Sequence, residues 1–312
     1  MRFGNVLITG ATGGLARLVA ERLKESHELV GADARSWPSQ AAFPGEFVEV
    51  SYTHRKMADI FRKHRFHTLI HMGRIRTTSE ANFHERYNVN VLGTRNLLDL
   101  AKKYGVKNVV VFSTFHVYGA HGLNPMHITE DQPLRASQLF PELQDAVDLD
   151  HYATNFLLQN PGIHTTILRP TNVVGSRLQN DITKILKSQY CPMVMGFDPM
   201  MQFIDQEDMA RAIILAMRAN HSGIYNVIGE GVIPYSHAIE LAGGTPIPIP
   251  PFVAYSAASI LKAVGMSRIP KHLIDYIRYP TLLSDERFRK DFNYAPLISC
   301  VESLKNLRHL EN

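Results

Sequence analysis

The sequence predicts an α/β protein built on a doubly wound parallel sheet, with a smaller C-terminal lobe. Three observations predict it. Short apolar, β-like runs alternate with amphipathic helical stretches over roughly the first 170 residues. A glycine-rich turn, "TGATGGLA" (9–16), sits between the first apolar run and the first helical stretch. Beyond residue 170 the alternation loosens into proline-punctuated segments.

Each element has its own signal. "NVLIT" (5–9) is a buried strand, and residues 14–25 put Leu15, Leu18, Val19 and Leu23 on one helical stripe. "ELVGAD" (28–33) and "FVEV" (47–50) are the second and third strands, followed by a helix near 54–65 and the strand "HTLIHM" (67–72). A long helix over about 80–104 stops at Gly105, a residue suited to a left-handed helix end. "NVVVFS" (108–113) is the fifth strand, and the loop of nearly thirty residues after it is too long for a plain connector, which suggests a functional loop or lid. Pro141 can start the next helix, which ends before Pro161-Gly162, and "HTTILR" (164–169) is the sixth strand. Further on, "FIDQEDMARAIILAM" (203–217) is a helix with Asp205 as N-cap, and "GIYNVIG" (223–229) is one more strand.

Composition excludes several classes. Hydrophobic residues make up 45% and charged residues 20% of the 312, as in an ordinary globular chain with a sizeable core. The net charge is +4, but the basic residues are scattered. The densest run, "HRKMADIFRKHRFH" (54–67), places Met57, Ile60 and Phe61 on one helical face, so it reads as a solvated helix and no nucleic-acid partner is expected. Cys191 and Cys300 fit no metal or redox spacing, so free thiols in a reducing, cytoplasmic setting are expected. "MRFGNVLITGATGG" lacks a long apolar stretch, and no secretory leader is read. The apolar segment 246–266 carries a proline cluster and Lys262, which argues for a buried helix of the small lobe and against a transmembrane span. Fifteen histidines include no H-E-x-x-H frame, and no metal site is read.

The turn at 9–16 carries the first chemistry. Gly10, Gly13 and Gly14 let the backbone turn tightly and approach a pyrophosphate, while Thr12 and Leu15 complete the turn into the helix. The helix N-terminus offers free N–H groups and the positive end of its dipole. Asp33 ends the second strand, 23 residues after Gly10, where it can accept hydrogen bonds from both hydroxyls of an adenosine ribose. A carboxylate there repels a 2′-phosphate, so NAD is the expected cofactor. Arg17 and Arg35 lie near enough in sequence to soften that preference and leave NADP open.

Taken with "HMGR" (71–74), "NVLGTRNLL" (90–98), "FSTFHVYG" (112–119) and "LRPTNVVG" (168–175), the turn resembles the extended short-chain dehydrogenase/reductase family, in its NAD-dependent epimerase/dehydratase-like, UDP-galactose 4-epimerase branch. "DQEDMARAI" (205–213) and "SDERFRKDFNYAP" (284–296) extend the likeness through most of the chain. The resemblance implies a Rossmann-like dinucleotide-binding domain over 1–170, with later contributions from about 203–229, and a partly interleaved substrate lobe over 171–312. It implies that Met72, Gly73 and Arg74 lie beside the cofactor, that Asn90 holds the helix behind the active site, and that Ser113 ends the fifth strand. It places Pro170, Asn172 and Val173 near the nicotinamide and makes Thr114 the Ser/Thr that bonds the substrate's reacting oxygen. It also implies a small-molecule substrate, a nucleotide sugar among the candidates, and a homodimer formed through the helices at about 80–104 and 141–159.

One departure bears on catalysis. The family's acid/base is a tyrosine, and a lysine four residues later lowers that tyrosine's pKa and holds the nicotinamide ribose. If Tyr152 were that tyrosine, Phe156 would stand for the lysine; but Tyr152 is only 17 residues before Arg169, whereas the family spacing is matched by Glu142, 27 residues before it. Asp150 then supplies the acidic residue the family carries eight positions after the tyrosine. In this register Glu142 takes the tyrosine place and Ala146 the lysine place, and Tyr152 is a packing or interface residue. A solvated carboxylate near its free pKa of about 4 is a poor proton donor at neutral pH. The paired acids of the dehydratases are also missing, since Thr114 is followed by Phe115 and His116. His116, titrating near neutrality, is a substitute base; a hydrogen-bonded histidine beneath the long loop is the alternative. The chain therefore reads as an NAD(P)-binding member with altered or lost redox catalysis, or as an active epimerase or hydroxyl dehydrogenase that uses Thr114, Glu142 and His116.

Overall fold

The computed structural model describes residues 4–38, 42–218, 220–256 and 271–308. Among them, seven parallel strands form the main sheet. In chain order these are β1 (Asn5–Thr9), β2 (Glu28–Asp33), β3 (Glu46–Glu49), β4 (Thr68–His71), β5 (Asn108–Phe112), β6 (His164–Pro170) and, after β7 (Asn172–Val174), β8 (Tyr190–Val194), β9 (Met200–Met201) and β10 (Phe203–Asp205), the strand β11 (Gly223–Val227). The spatial order β11-β6-β5-β4-β1-β2-β3 reverses direction between β1 and β4, and ligands of open α/β sheets bind at such a reversal, beyond the strands' C-terminal ends.

Successive strand residues point to opposite faces. Ile8, Ile70, Val110 and Leu168 pack under α1 (Gly14–Leu23) and the later helix over residues 206–218. Leu7, Leu69, Val109, Val111 and Ile167 pack on the other face. There they meet α2 (Lys56–His64) and the helices that follow β4 and β5 in the chain. Burial on both faces is why the strands read as unbroken apolar runs.

The long helix after β4 is not uniform. It opens as α3 (Phe83–Tyr87), whose N-cap Asn82 and Glu85 bond reciprocally, widens into a π turn over Asn88–Leu92, and continues as α4 (Gly93–Lys103). The widened turn carries the fully buried Asn90. Tyr104 caps the end, and Gly105 takes φ +71° as its position predicts. The helix expected from Pro141 starts as a tight turn over Pro141–Leu143 before α6 (Gln144–Gln159); α5 (Ala136–Leu139) lies just ahead of it.

Beyond β7 come α7 (Asp181–Lys187), α8 (Gln206–Arg218) and α9 (Tyr235–Leu241), with Asp205 accepting from the Glu207 amide as an N-cap does. β7 pairs with β10, β9 with β12 (Ile233–Pro234), and β8 with β13 (Thr245–Ile249). The stretch read as a buried helix over 246–266 thus begins as a strand; residues 251–256 are helical and 257–270 lie outside the described residues. Among the described residues no helix is long and apolar enough to cross a membrane.

A buried ion pair ties these parts together. Arg169 reaches Asp150 through two bonds, Nη2 to Oδ1 at 2.6 Å and Nε to Oδ2 at 3.0 Å, and both residues are almost wholly buried. Ser113 donates to the same carboxylate at 2.6 Å, and Arg169 also donates to the Tyr118 hydroxyl and the Glu130 carbonyl. The loop after β5 is pinned by this network: Glu130 accepts from the Asn226 amide, and Ile128 bridges to Leu283. It is not a free lid at these points. Removing one partner of such a pair strands a buried charge. Asp150→Ala is therefore expected to cost about 3–5 kcal/mol in urea denaturation, more than replacing an exposed acid such as Asp99 on α4.

Candidate functional site

The site lies where β1 and β4 end side by side. Gly10 adopts φ +69°, and a Cβ on it would stand 2.6 Å from the Gly73 Cα. A Cβ on Gly73 would in turn meet the buried Tyr52 hydroxyl at 2.0 Å. Only glycine lets the two turns approach this closely. The turn is set by Gly10 N–H donating to the Ala32 carbonyl and Gly13 N–H to the Gly10 carbonyl, both at 2.9 Å. α1 then starts at Gly14 with no side chain capping its first turn and no acidic residue in it. Its first amides and its dipole are thus available to an anion. Gly14 packs against the Arg177 carbonyl, and Leu15 is buried in the core.

Asp33 closes the far side of the turn. Its Oδ2 accepts from the Thr12 amide and hydroxyl, at 3.2 and 2.7 Å, and both oxygens accept from Arg35. Burial works against the charge, but these bonds outweigh it and hold the carboxyl below its ordinary range. An uncapped helix N-terminus and an ionised carboxylate at the end of β2 form a donor and acceptor set that fits a dinucleotide's pyrophosphate and ribose.

The loop leaving β4 carries Met72, Gly73, Arg74 and Ile75 past this turn. Asn90 clamps the loop: its Oδ1 accepts from the Ile75 amide, and its Nδ2 donates both to the Ile75 carbonyl and to Asp145 on α6. Burial lowers the Arg74 pKa, against the pull of Asp145 and Asp181. Under β4, His71 lies between Thr9 and Thr94, and burial pushes it down to about 4. Beyond β6, Pro170 ends the strand, Asn172 donates to the Gln202 carbonyl, and Val173 is buried.

At the C-terminal end of β5 the two hydroxyls part company. Ser113 is committed to Asp150, whereas Thr114 caps the turn that follows and meets His116 at 3.3 Å. His116 does not titrate near neutrality, contrary to the expectation: burial, then His272 and Arg74, depress it well below the ordinary histidine value. Glu142 is also not a freely solvated carboxylate. Its Oε1 lies 3.2 Å from Nδ1 of His272, and that bond, opposed by burial, takes its pKa down to about 2. Ala146 is buried, next to the Asp145 that Asn90 holds. Arg86 donates to the Glu142 carbonyl and so ties α3 to the start of α6. Tyr152 packs on the sheet's helical layer under Arg95, as expected of a packing residue.

The structure thus brings Gly10, Thr12, Gly13, Asp33 and Gly73 together at one end, and at the other it joins Thr114 to His116 directly and Glu142 to His116 only by way of His272. It adds three residues that the sequence reading missed: Asp145, His272 and Tyr276, whose hydroxyl donates to the His116 carbonyl at 2.5 Å. His272 and Tyr276 come from the helix Lys271–Tyr276 and reach the site from far along the chain, with no local pattern to announce them. Among the described residues no group of three or more His, Cys, Asp or Glu is placed to hold a metal.

Comparison with known proteins agrees with this fold. A family model described as NAD dependent epimerase/dehydratase family matches residues 6–227. An uncharacterised protein of Mycobacterium tuberculosis is 28% identical over 312 aligned residues, covering 96% of this chain and 81% of its own. A UDP-glucose 4-epimerase of Dictyostelium discoideum is 27% identical, covering 77% of this chain and 70% of its own. The crystal structure of a Thermus thermophilus UDP-glucose 4-epimerase in complex with NAD superposes with a TM-score of 0.78 at 20% identity, covering 98% of this chain and 99% of that one.

Two outcomes follow from the site's geometry. Gly10→Ala forces a side chain onto the Gly73 backbone at a left-handed φ, and is expected to lower stability by about 1–3 kcal/mol in denaturant titration. The Glu142 carboxyl is protonated more readily in the unfolded chain than in the folded one. Its stabilisation is therefore complete above about pH 4.5 and is lost as pH falls toward 2. Glu142→Gln should flatten the stability curve within that window and leave its shape above the window unchanged.

Proposed function

The chain belongs to the NAD-dependent epimerase/dehydratase family, whose model spans most of its length, and on that premise we propose that it binds NAD at the β1–α1 turn while its redox catalysis is altered or lost. What supports this reading is the close-packed glycine turn beside an ionised Asp33, taken with the sequence register that puts Glu142 and Ala146 at the places of the family's tyrosine and lysine. Gly14 and Leu15 would present backbone amides to the pyrophosphate, and Gly13, whose own N–H is taken by the Gly10 carbonyl, would let it approach closely. Asp33 would accept from the adenosine ribose once Arg35 gives way, and NADP is the second candidate because Arg35 stands ready for a 2′-phosphate. Met72, Gly73 and Arg74 would flank the cofactor on one side, and Pro170, Asn172 and Val173 on the other. Bound NAD supplies a hydride acceptor.

In this reading the substrate is a nucleotide sugar or a related hydroxyl compound, seated between the sheet's C-terminal edge and a lobe built from residues 171–312. Thr114 would bond the reacting oxygen. Ala146 can neither hold a ribose nor supply charge, so proton transfer must run through other groups or fail. An active epimerase or dehydrogenase that relies on Thr114, Glu142 or His116 is the alternative within the same site. Homodimerisation through α3–α4 and α6 fits the exposed Leu92 and Leu158 on those helices, and a cytoplasmic setting fits the two free, buried thiols.

Purified protein should retain dinucleotide, visible in its ultraviolet spectrum and released on denaturation. Asp33→Ala is expected to weaken NAD binding about 10–100-fold in calorimetry, the value of one or two charge-assisted hydrogen bonds. Protein free of dinucleotide, with no affinity for added NAD, would contradict the reading.

A further inference from the structure

The Glu142 place holds more than a substituted side chain. We propose that His272 is the proton-transfer residue of this site, with Glu142 as the carboxylate that orients it; this rests on the NAD-binding, altered-catalysis reading above, taken in its active form. His272 is 1% exposed, and its two ring nitrogens face different partners: Nδ1 lies 3.2 Å from Glu142 Oε1, and Nε2 lies 3.4 Å from the Thr77 hydroxyl. An ionised carboxylate only accepts hydrogen bonds, so Nδ1 must carry the proton. In the neutral ring Nε2 then keeps its lone pair, and it faces the Thr77 hydroxyl, on the same loop that carries Gly73 and Arg74, through a long contact. A carboxylate that fixes an imidazole's tautomer and leaves its other nitrogen basic is the arrangement that makes histidine an effective base.

The surroundings favour this role over simple packing. His116 and Tyr276 lie edge-on to the His272 ring at 6.4 and 6.3 Å, and Phe140 lies 6.1 Å away. These rings hold the imidazole in one orientation. On the register read from the 27-residue spacing to Arg169, Glu142 takes the tyrosine's place, and the histidine it holds is then beside the point where a substrate hydroxyl gives up its proton. In the reaction, the substrate's C–H electron pair leaves with its hydrogen as hydride to the oxidised nicotinamide, and the hydroxyl proton passes to Nε2. The carbonyl forms between those two departures, and Glu142 balances the imidazolium charge. Return of hydride and proton reverses each transfer. A sugar hydroxyl takes over the Nε2 contact that Thr77 makes in the free protein.

The test has a spectroscopic arm and a kinetic arm. In protein with 15N-labelled histidine, the His272 signals are those absent from His272→Asn; the asparagine amide can still donate to Glu142, so this variant keeps the structural bond. Nδ1 should appear protonated and Nε2 bare, and a saturating UDP-sugar should shift Nε2 while leaving Nδ1 in place. In Glu142→Gln the signals should report a mixture of tautomers or a weakened Nδ1 bond. A His272 with Nε2 protonated, or with Nε2 indifferent to the sugar nucleotide, overturns the proposal. In the kinetic arm, His272→Asn should lower NADH formation from a reactive UDP-sugar about 100-fold or more, with circular dichroism and NAD affinity unchanged. Turnover that survives His272→Asn removes the base alone. NAD-loaded wild-type protein that reduces nothing across a panel of sugar nucleotides removes the reaction and the base together.

Discussion

Two turns leave the sheet side by side where the strand order reverses, and they can do so because neither Gly10 nor Gly73 carries a side chain. A single methyl group on either would collide with backbone or with the Tyr52 hydroxyl. That contact brings the end of β4 against the end of β1. It also sets the start of α1, whose first turn no side chain caps, beside the end of β4. The bonds to Asp33 and the clamp on Ile75 follow from it, since each fixes a segment that the close approach has already brought near.

A second layer of constraint holds α6 in register. Asp150 is locked to Arg169 and Ser113, and Asp145 to Asn90, so the helix is anchored at two buried carboxylates five residues apart. Buried charges of this kind contribute little net stability against a hydrophobic alternative, but they fix one geometry. That geometry fixes where Glu142 and Ala146 stand, the two residues we propose in place of the family's proton-handling pair. Glu142 lies at the mouth of the helix and is drawn to His272. Ala146 lies one turn on, buried, with no charge to offer.

Much of this was legible in the sequence. The strands announced themselves because both sheet faces are buried, and the glycine turn because its spacing sits between a strand and a helix. Asp150 was readable as the acidic residue eight positions after Glu142, itself placed by its distance from Arg169. The π turn at Asn88–Leu92 was not, because its cause is tertiary: Asn90 is held by the Ile75 backbone and by Asp145, both distant in the chain. The strand Thr245–Ile249 was masked by its prolines, which are tolerated because the two-stranded sheet leaves it an edge. His272 was invisible for a related reason. Its meaning comes from a contact across 130 residues, and the segment around it shows no periodicity that would aim it at the site. The same contact holds the Glu142 carboxyl below its ordinary range, whereas burial is the first cause of the lowered His116 value.

The two central proposals are a dinucleotide at the β1–α1 turn and Glu142 with Ala146 in place of the family's proton pair. A crystal structure of the protein with NAD and a UDP-sugar tests both at once. The expected result is the pyrophosphate over the amides of Gly14 and Leu15, the adenosine ribose on Asp33, and the sugar's reacting hydroxyl within hydrogen-bonding distance of Thr114. A dinucleotide bound elsewhere, or a sugar whose reacting carbon lies away from Thr114 and Glu142, would contradict it.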